Sequence, residues 1–169
     1  MFEIQLTITD KGAYLQKDRM RWIKKFGIPI SESFPEPFPQ PTIQALRALC
    51  AIKAKHPDKL SAAFVELYNA LWLDLKPVGK AEVFAQYLNR IFSESEVKEI
   101  VEMSSQPEIK KQLVDNTDYA LKEGCFGLPY YIATNVKGES EAFWGFDHLG
   151  QVIDHLGLER QGEGFRAML

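Results

Sequence analysis

The run CFGLPYYIATN, residues 125–135, has the residue pattern with the clearest chemical meaning in this chain. Pro129 follows a short apolar dipeptide and precedes an aromatic-rich run. That position favours a sharp turn with a cis X-Pro bond at the start of a strand. The pattern therefore predicts a ligand-facing edge at Pro129, and an ordinary turn proline is the alternative.

A second run, EAFWGFDHLGQVIDHLG at residues 141–157, predicts another strand followed by a terminal helix. Asp147 is well placed as the N-cap of that helix, and Gly157 is a natural C-terminal stop. The carboxylate of Asp147 could equally serve a ligand, and the two roles are compatible.

Sulfur and imidazole groups are sparse in the sequence. Cys50 and Cys125 form no C-x-x-C pair, which argues against a disulfide oxidoreductase and favours two reduced thiols in an intracellular protein. Cys125 adjoins the predicted turn, so a mixed disulfide with a small thiol is an alternative to a buried apolar role. The three histidines offer no convincing zinc ligand set, and no metal is expected.

Length and composition fit one globular domain, or one domain with an insertion. The chain has 169 residues, of which 46% are hydrophobic and 25% charged, with a net charge of −3. This balance favours neither a nucleic-acid nor a membrane partner. The sequence shows no signal peptide, so a cytoplasmic location is expected, with a mitochondrial or peroxisomal one as the alternative.

The remaining elements follow from hydrophobic periodicity. Alternation over residues 2–9 predicts a strand, although a disordered terminus fits as well. Residues 14–26 predict a helix that stops at Gly27. The run IPISESFPEPFPQP, residues 28–41, holds five prolines, which forbid a helix or a central strand.

A helical block follows that linker. Helices are predicted over 42–54, 58–74, 80–92, 94–103 and 107–123. A capping box from Ser93 to Glu96 opens the fourth of them, and Gly124 ends the fifth. Strands and a helix on both sides of a helical block indicate an α/β fold with an inserted helical part.

Three motifs give the chain a recognisable pattern: Lys-Gly-Ala-Tyr at 11–14, Phe-Gly-Leu-Pro at 126–129 and Trp-Gly-Phe-Asp-His at 144–148. With them the chain resembles the kappa-class glutathione transferases and the 2-hydroxychromene-2-carboxylate isomerases, in the DsbA-like branch of the thioredoxin superfamily. The resemblance implies a thioredoxin-like part over residues 1–30 and 124–169. It implies a linker and an inserted all-helical subdomain over residues 31–123.

The resemblance also implies a glutathione site. In that family the Leu-Pro turn pairs with the cysteinyl part of glutathione, which assigns this role to the main chain of Leu128 with Pro129 in cis. An acidic residue after the last strand holds the γ-glutamyl amine, and Asp147 matches it. Lys11 matches a lysine near the glycine carboxylate, although a solvated surface lysine is the alternative. Phe146 stands where many relatives have serine.

The chain departs from the family pattern at its front. The family begins with a strand, a turn carrying a catalytic serine and a helix, whereas only ten residues precede Lys11 and none is serine. We therefore expect an N-terminally truncated fold in which the catalytic residue is unknown. The other serines are expected in loops or helix caps: residues 31, 33, 61, 93, 95, 104, 105 and 140.

Two functions from different classes are consistent with these residues. The first is a kappa-like glutathione transferase, or a glutathione-dependent isomerase or oxidoreductase, that uses glutathione and a small electrophile and is inactive if the serine motif is lost. The second is a non-catalytic binding or scaffold protein of the same fold. Unpaired strand edges in a truncated sheet favour a homodimer or a partner chain. Whether the chain is an enzyme stays open.

Overall fold

A computed structural model describes residues 10–159 and divides the chain into two compact units, residues 1–114 and 115–169. The described residues form seven α-helices and one two-stranded antiparallel sheet. The helices are α1 (Asp10–Phe26), α2 (Ile43–Lys55), α3 (Leu60–Tyr68), α4 (Ala81–Leu88), α5 (Glu94–Ser104), α6 (Pro107–Lys122) and α7 (Leu149–His155). The strands are β1 (Tyr130–Thr134) and β2 (Ser140–Trp144).

Helix α1 begins four residues earlier than predicted and ends at Gly27, whose φ of 60° favours glycine. Arg19 fixes the chain that follows it. Its guanidinium donates to the carbonyl oxygens of Ser31 (2.6 Å) and Glu32 (3.1 Å) and lies 4.8 Å from the ring centre of Phe34. The proline-rich segment therefore folds back against α1.

That segment contains neither helix nor strand, as its prolines predict. Pro35 is fully buried. The rings of Phe34 and Phe38 lie 6.4 and 6.1 Å from that of Trp72, and the Ser31 amide donates to the Trp72 carbonyl (2.8 Å). Packed aromatic rings and this hydrogen bond hold the linker against the first unit.

The core of the first unit forms where α2 meets the helices that follow it. On α2, Ala48, Ala51 and Ile52 are fully buried. The small alanine side chains let neighbouring helices approach closely. The largest fully buried apolar side chains of this core are Phe84, Ile52, Leu88 and Ile100.

Two predicted helices differ from the observed ones. The stretch 58–74 is divided into a 3-10 turn (Pro57–Lys59), α3 and a π-helical turn (Asn69–Leu73), and the next helix ends at Leu88 rather than at 92. The Ser93 capping box is confirmed. The Ser93 amide donates to the Glu96 carboxylate (2.7 Å), and that bond, with one from the Ser93 hydroxyl, lowers the pKa of Glu96.

A buried tyrosine ties α4 to the end of the π-helical turn. The Tyr87 hydroxyl donates to Asp74 Oδ2 at 2.6 Å. Burial, followed by this hydrogen bond to a carboxylate, raises the pKa of Tyr87 to about 12. The neutral phenol is therefore an integral part of the folded first unit.

In the second unit, α7 packs on one face of the hairpin formed by β1 and β2. Ala133, Phe143 and Val152 form its buried core. His155 at the end of α7 reaches both strands and the turn between them, because its Nε2 lies 3.1 Å from the carbonyl oxygens of Ala133 and Glu139. Its Nδ1 lies 3.5 Å from the Glu141 carboxylate.

The strand over 2–9 lies outside the described residues. The division into 1–30 with 124–169 and 31–123 stays a prediction, since the two compact units divide at residue 114. Every helix in residues 10–159 is too short or too polar to span a bilayer.

We predict that Tyr87→Phe lowers the free energy of unfolding by about 1 kcal/mol, because it removes the hydroxyl that Asp74 accepts from. The raised pKa means that the folded state keeps the Tyr87 proton between about pH 10, where an unfolded tyrosine loses it, and pH 12. This contribution is complete below pH 10 and is lost as the pH rises towards 12.

Urea unfolding of both proteins at several pH values between 7 and 11.5 measures the effect. The Tyr68→Phe variant is the matched control, because the Tyr68 side chain is 56% exposed. Equal stability of Tyr87→Phe and wild type, at pH 7 and at pH 11, would contradict the role assigned to this hydroxyl.

Candidate functional site

The turn before β1 is shaped by contacts within the second unit. Helix α6 ends at Lys122, and Gly124, two residues further on, has a φ of 82°. The Cys125 amide donates to the carbonyl of Ala120 (2.9 Å), and its thiol donates to that of Gly127 (3.4 Å). The Tyr130 hydroxyl donates to the Glu123 carbonyl (2.8 Å). The turn is thus tied at both ends to the last turn of α6.

The bond between Leu128 and Pro129 is cis, as the sequence predicts. Leu128 is 83% exposed. Its amide and carbonyl have no hydrogen-bond partner among residues 10–159, whereas the Pro129 carbonyl accepts from the amide of Gly145 (3.0 Å). The main chain of Leu128 is therefore open to an incoming group.

An indole ring supports the turn from the neighbouring strand. A Cβ atom at Gly127 would lie 2.7 Å from Trp144 Nε1, closer than such atoms approach in proteins. The Phe126 ring, 76% exposed, lies 5.0 Å from the ring of Trp144 and 6.5 Å from that of Tyr130. The rings of Phe126, Tyr130 and Trp144 together form an aromatic wall.

Asp147 lies in a 3-10 turn, Phe146–His148, and not at the N-cap that the sequence predicts. The N-cap of α7 is His148, and no side chain caps the helix there. The intervening 3-10 turn moves the helix start and leaves the Asp147 carboxylate exposed. This carboxylate bends back over Gly145, where any Cβ would overlap it, and Oδ1 lies 3.5 Å from His148 Nδ1.

The hairpin register brings three of the four predicted ligand-binding residues into one unit. Since Gly145 bonds to Pro129, Asp147 lies two residues beyond the position opposite the Leu-Pro turn. Lys11 belongs to the other unit, in the first turn of α1. Its place beside Leu128 and Asp147 therefore stays a prediction.

Comparison with known proteins identifies the broader family. Residues 3–157 match the family described as the DSBA-like thioredoxin domain. The chain belongs to this family. The match confirms the DsbA-like thioredoxin fold class that the sequence predicts.

The curated relatives are named as glutathione transferases. The chain is 28% identical over 152 residues to human glutathione S-transferase kappa 1, which covers 86% of this chain and 66% of that protein. It is 29% identical to Caenorhabditis elegans glutathione S-transferase kappa 2, covering 90% and 69%. It is 24% identical to rat glutathione S-transferase kappa 1, covering 92% and 70%. The chain thus spans about two thirds of the length of these relatives.

The serines of this DSBA-like thioredoxin domain partly depart from their expected places. Ser61, Ser95 and Ser104 lie within helices, and Ser140 begins β2. The Ser140 hydroxyl lies 2.7 Å from Thr134 Oγ1, at the end of the hairpin away from Pro129. Its partner Thr134 is five residue steps from Pro129, on the order of 17 Å along the strand.

Within residues 10–159 neither Cys50 nor Cys125 forms a disulfide. Cys50 is buried in the first unit, and burial raises the pKa of its thiol. Cys125 is partly exposed and bonded to the Gly127 carbonyl. Among residues 10–159, no cluster of histidine, cysteine and acidic side chains could hold a metal ion.

Sequence reasoning did not identify the contributions of Gly127 and Gly145. The signal was present, because each glycine adjoins a residue of the two site motifs, and a glycine in such a position indicates close approach of another group. What the sequence did not show is which group approaches: the Trp144 indole at one and the Asp147 carboxylate at the other.

We predict that Gly127→Ala destabilises the protein by about 1–3 kcal/mol, because the new methyl group overlaps the indole of Trp144. In a Trp144→Ala background the penalty should largely disappear. Urea unfolding of the four proteins, followed by circular dichroism, gives the coupling between the two positions. Additive penalties would show that the indole does not constrain the turn.

Proposed function

We propose that this chain binds glutathione at the Leu-Pro turn and serves as a kappa-like glutathione transferase, or as a glutathione-dependent isomerase or oxidoreductase. The observation that supports this most is the open main chain of Leu128 next to the Gly145–Asp147 junction. The names of the three kappa relatives point the same way.

The main chain of Leu128 supplies the central contact of the proposed site. Glutathione is an extended tripeptide, and its cysteinyl amide and carbonyl can pair with the amide and carbonyl of Leu128 as one strand pairs with another. Each such bond contributes about 1 kcal/mol. The Leu128 side chain is not needed for this contact, because the pairing uses main-chain atoms alone.

Asp147 then binds the ammonium group of the γ-glutamyl residue. Its carboxylate is exposed and lies beside Gly145, which faces Pro129. An exposed ion pair contributes about 0–1 kcal/mol, so this contact sets ligand orientation more than affinity. Lys11 is proposed to bind the glycine carboxylate, which would require α1 to approach the turn.

Turnover needs more than binding, because the thiol of glutathione must lose its proton near neutral pH. A hydrogen-bond donor or a positive charge beside the sulfur supplies that effect. No serine of the described second unit lies at the Leu-Pro turn, so the catalytic group is left unassigned. A small electrophile is the proposed second substrate, and the aromatic wall offers apolar surface beside Leu128.

The setting that we propose is a homodimer in the cytoplasm, where glutathione is abundant. Mitochondria and peroxisomes are the alternatives. The second candidate function is a binding or scaffold protein without turnover. One edge of β1 has no strand partner within residues 10–159, and this favours the second candidate, because an unpaired edge is suited to pairing with another chain.

We predict that Leu128→Pro weakens glutathione binding at least about fivefold, because proline removes the amide that pairs with the ligand. Leu128→Ala is the matched control and should bind as wild type does, since it changes only the exposed side chain. Isothermal titration calorimetry measures both, with circular dichroism to confirm that each variant is folded. Equal weakening by the two variants would show that the side chain, and not the main chain, makes the contact.

We also predict that Asp147→Asn weakens glutathione binding about two- to fivefold, whereas Asp118→Asn, on α6, leaves it unchanged. A conjugation assay with a chlorodinitrobenzene-type electrophile then separates the two candidate functions. Binding with turnover supports the transferase, and binding without turnover supports a glutathione-binding protein that lacks catalysis. Absence of binding would refute both glutathione proposals.

A further inference from the structure

The Nδ1 atom of His148 is buried, and residues 10–159 supply it with no hydrogen-bond partner. The imidazole as a whole is not enclosed, because the side chain is 40% exposed. A polar atom that is cut off from water without a partner costs free energy and needs an explanation. His148 is the N-cap of α7, yet its side chain caps no amide of that helix. The start of the helix therefore does not account for this nitrogen.

The carboxylate of Asp147 lies next to it. Asp147 Oδ1 is 3.5 Å from His148 Nδ1, and both atoms lie over Gly145. A carboxylate oxygen only accepts hydrogen bonds, so a bare lone pair on Nδ1 would face another lone pair. A proton on Nδ1 turns this repulsion into attraction. The neutral imidazole of His148 therefore carries its proton on Nδ1, which leaves Nε2 as the open acceptor.

We propose that His148 is the positioning residue of the candidate site. Its Nδ1–H group holds Oδ1 of Asp147 and leaves Oδ2 for the ammonium group of the ligand. This inference rests on the proposed function, in which Asp147 binds the γ-glutamyl ammonium. At 3.5 Å the contact is longer than a regular hydrogen bond, but such contacts in empty sites are often long and shorten in the complex.

Asp147 gains from such a support because its side chain is otherwise little restrained. It lies in the 3-10 turn Phe146–His148, and the side chain is 68% exposed. An exposed carboxylate samples several rotamers, and fixing one of them costs free energy when a ligand binds. A neighbouring donor that selects one rotamer in advance lowers this cost. Gly145 serves the same end, since a Cβ atom there would overlap Oδ1.

His155 provides a reference within the same unit. Its Nε2 lies 3.1 Å from the carbonyl oxygens of Ala133 and Glu139, and both oxygens can only accept. These two contacts outweigh the longer one, 3.5 Å, between its Nδ1 and the Glu141 carboxylate. The neutral ring of His155 therefore carries its proton on Nε2. His148 and His155 are thus expected to adopt opposite tautomers.

Nuclear magnetic resonance of the free protein gives the first test. Proton–nitrogen correlation spectra of the full chain with isotope-labelled histidine distinguish the two tautomers at about pH 8.5, where histidine is ordinarily neutral. His148 should show the Nδ1–H form and His155 the Nε2–H form. Asp147→Ala should shift His148 towards the Nε2–H form, because it removes the acceptor. Asp118→Ala, on α6, is the matched control and should leave His148 unchanged.

Isothermal titration calorimetry with glutathione gives the second test. His148→Leu should weaken binding about two- to fivefold, because it removes the donor and keeps a side chain of moderate size. His148→Asn should bind as wild type does, since its amide nitrogen is attached to Cγ as Nδ1 is. In an Asp147→Ala background, His148→Leu should have no further effect, because His148 acts through that carboxylate. Circular dichroism confirms that each variant is folded.

Several results would overturn the proposal. One is an Nε2–H tautomer of His148 in the wild-type protein. Others are unchanged binding by His148→Leu, equal weakening by His148→Leu and His148→Asn, and additive penalties of His148→Leu and Asp147→Ala. The tautomer test needs no ligand, so the two proposals can fail separately. If glutathione does not bind while Asp147→Ala still removes the Nδ1–H form, the proposed function fails and the pairing of His148 with Asp147 stands.

Discussion

The hydrogen bond from the Gly145 amide to the Pro129 carbonyl, 3.0 Å long, decides the geometry of the second unit. It is the last rung of the ladder between β1 and β2. Since proline has no amide hydrogen, Pro129 and Gly145 share one hydrogen bond where a regular pair of this kind shares two, and the ladder ends there. Leu128 therefore lies beyond the ladder, and its main chain has no hydrogen-bond partner among residues 10–159.

Two glycines make the hydrogen bond between Gly145 and Pro129 compatible with the side chains around it. Gly127 lies under the Trp144 indole, and Gly145 lies under the Asp147 carboxylate. In both places a large group rests directly on main chain, so a methyl group would displace either the side chain or the turn. The positive φ of Gly145 adds a second requirement, because side chains rarely adopt 97°. The site therefore requires glycine at positions 127 and 145, as well as the Trp144 and Asp147 side chains that pack on them.

Much of the fold could be predicted because its signals are local. Helix α1 ends at Phe26, next to Gly27, and helix α6 ends at Lys122, two residues before Gly124. The Ser93 capping box opens α5. The π-helical turn Asn69–Leu73 could not be predicted from periodicity. It adjoins the Tyr87 contact to Asp74, a pairing thirteen residues apart that no local pattern specifies.

The same distinction applies to the candidate site. A hairpin with a short connection must bring Pro129 and the residues after β2 together, so the pairing of Pro129 with Gly145 follows from the sequence pattern. The N-cap role of Asp147 failed because an intervening 3-10 turn shifts the helix start, and such turns at helix ends depend on local packing. Lys11 lies more than a hundred residues away, so its approach depends on how the two units are arranged.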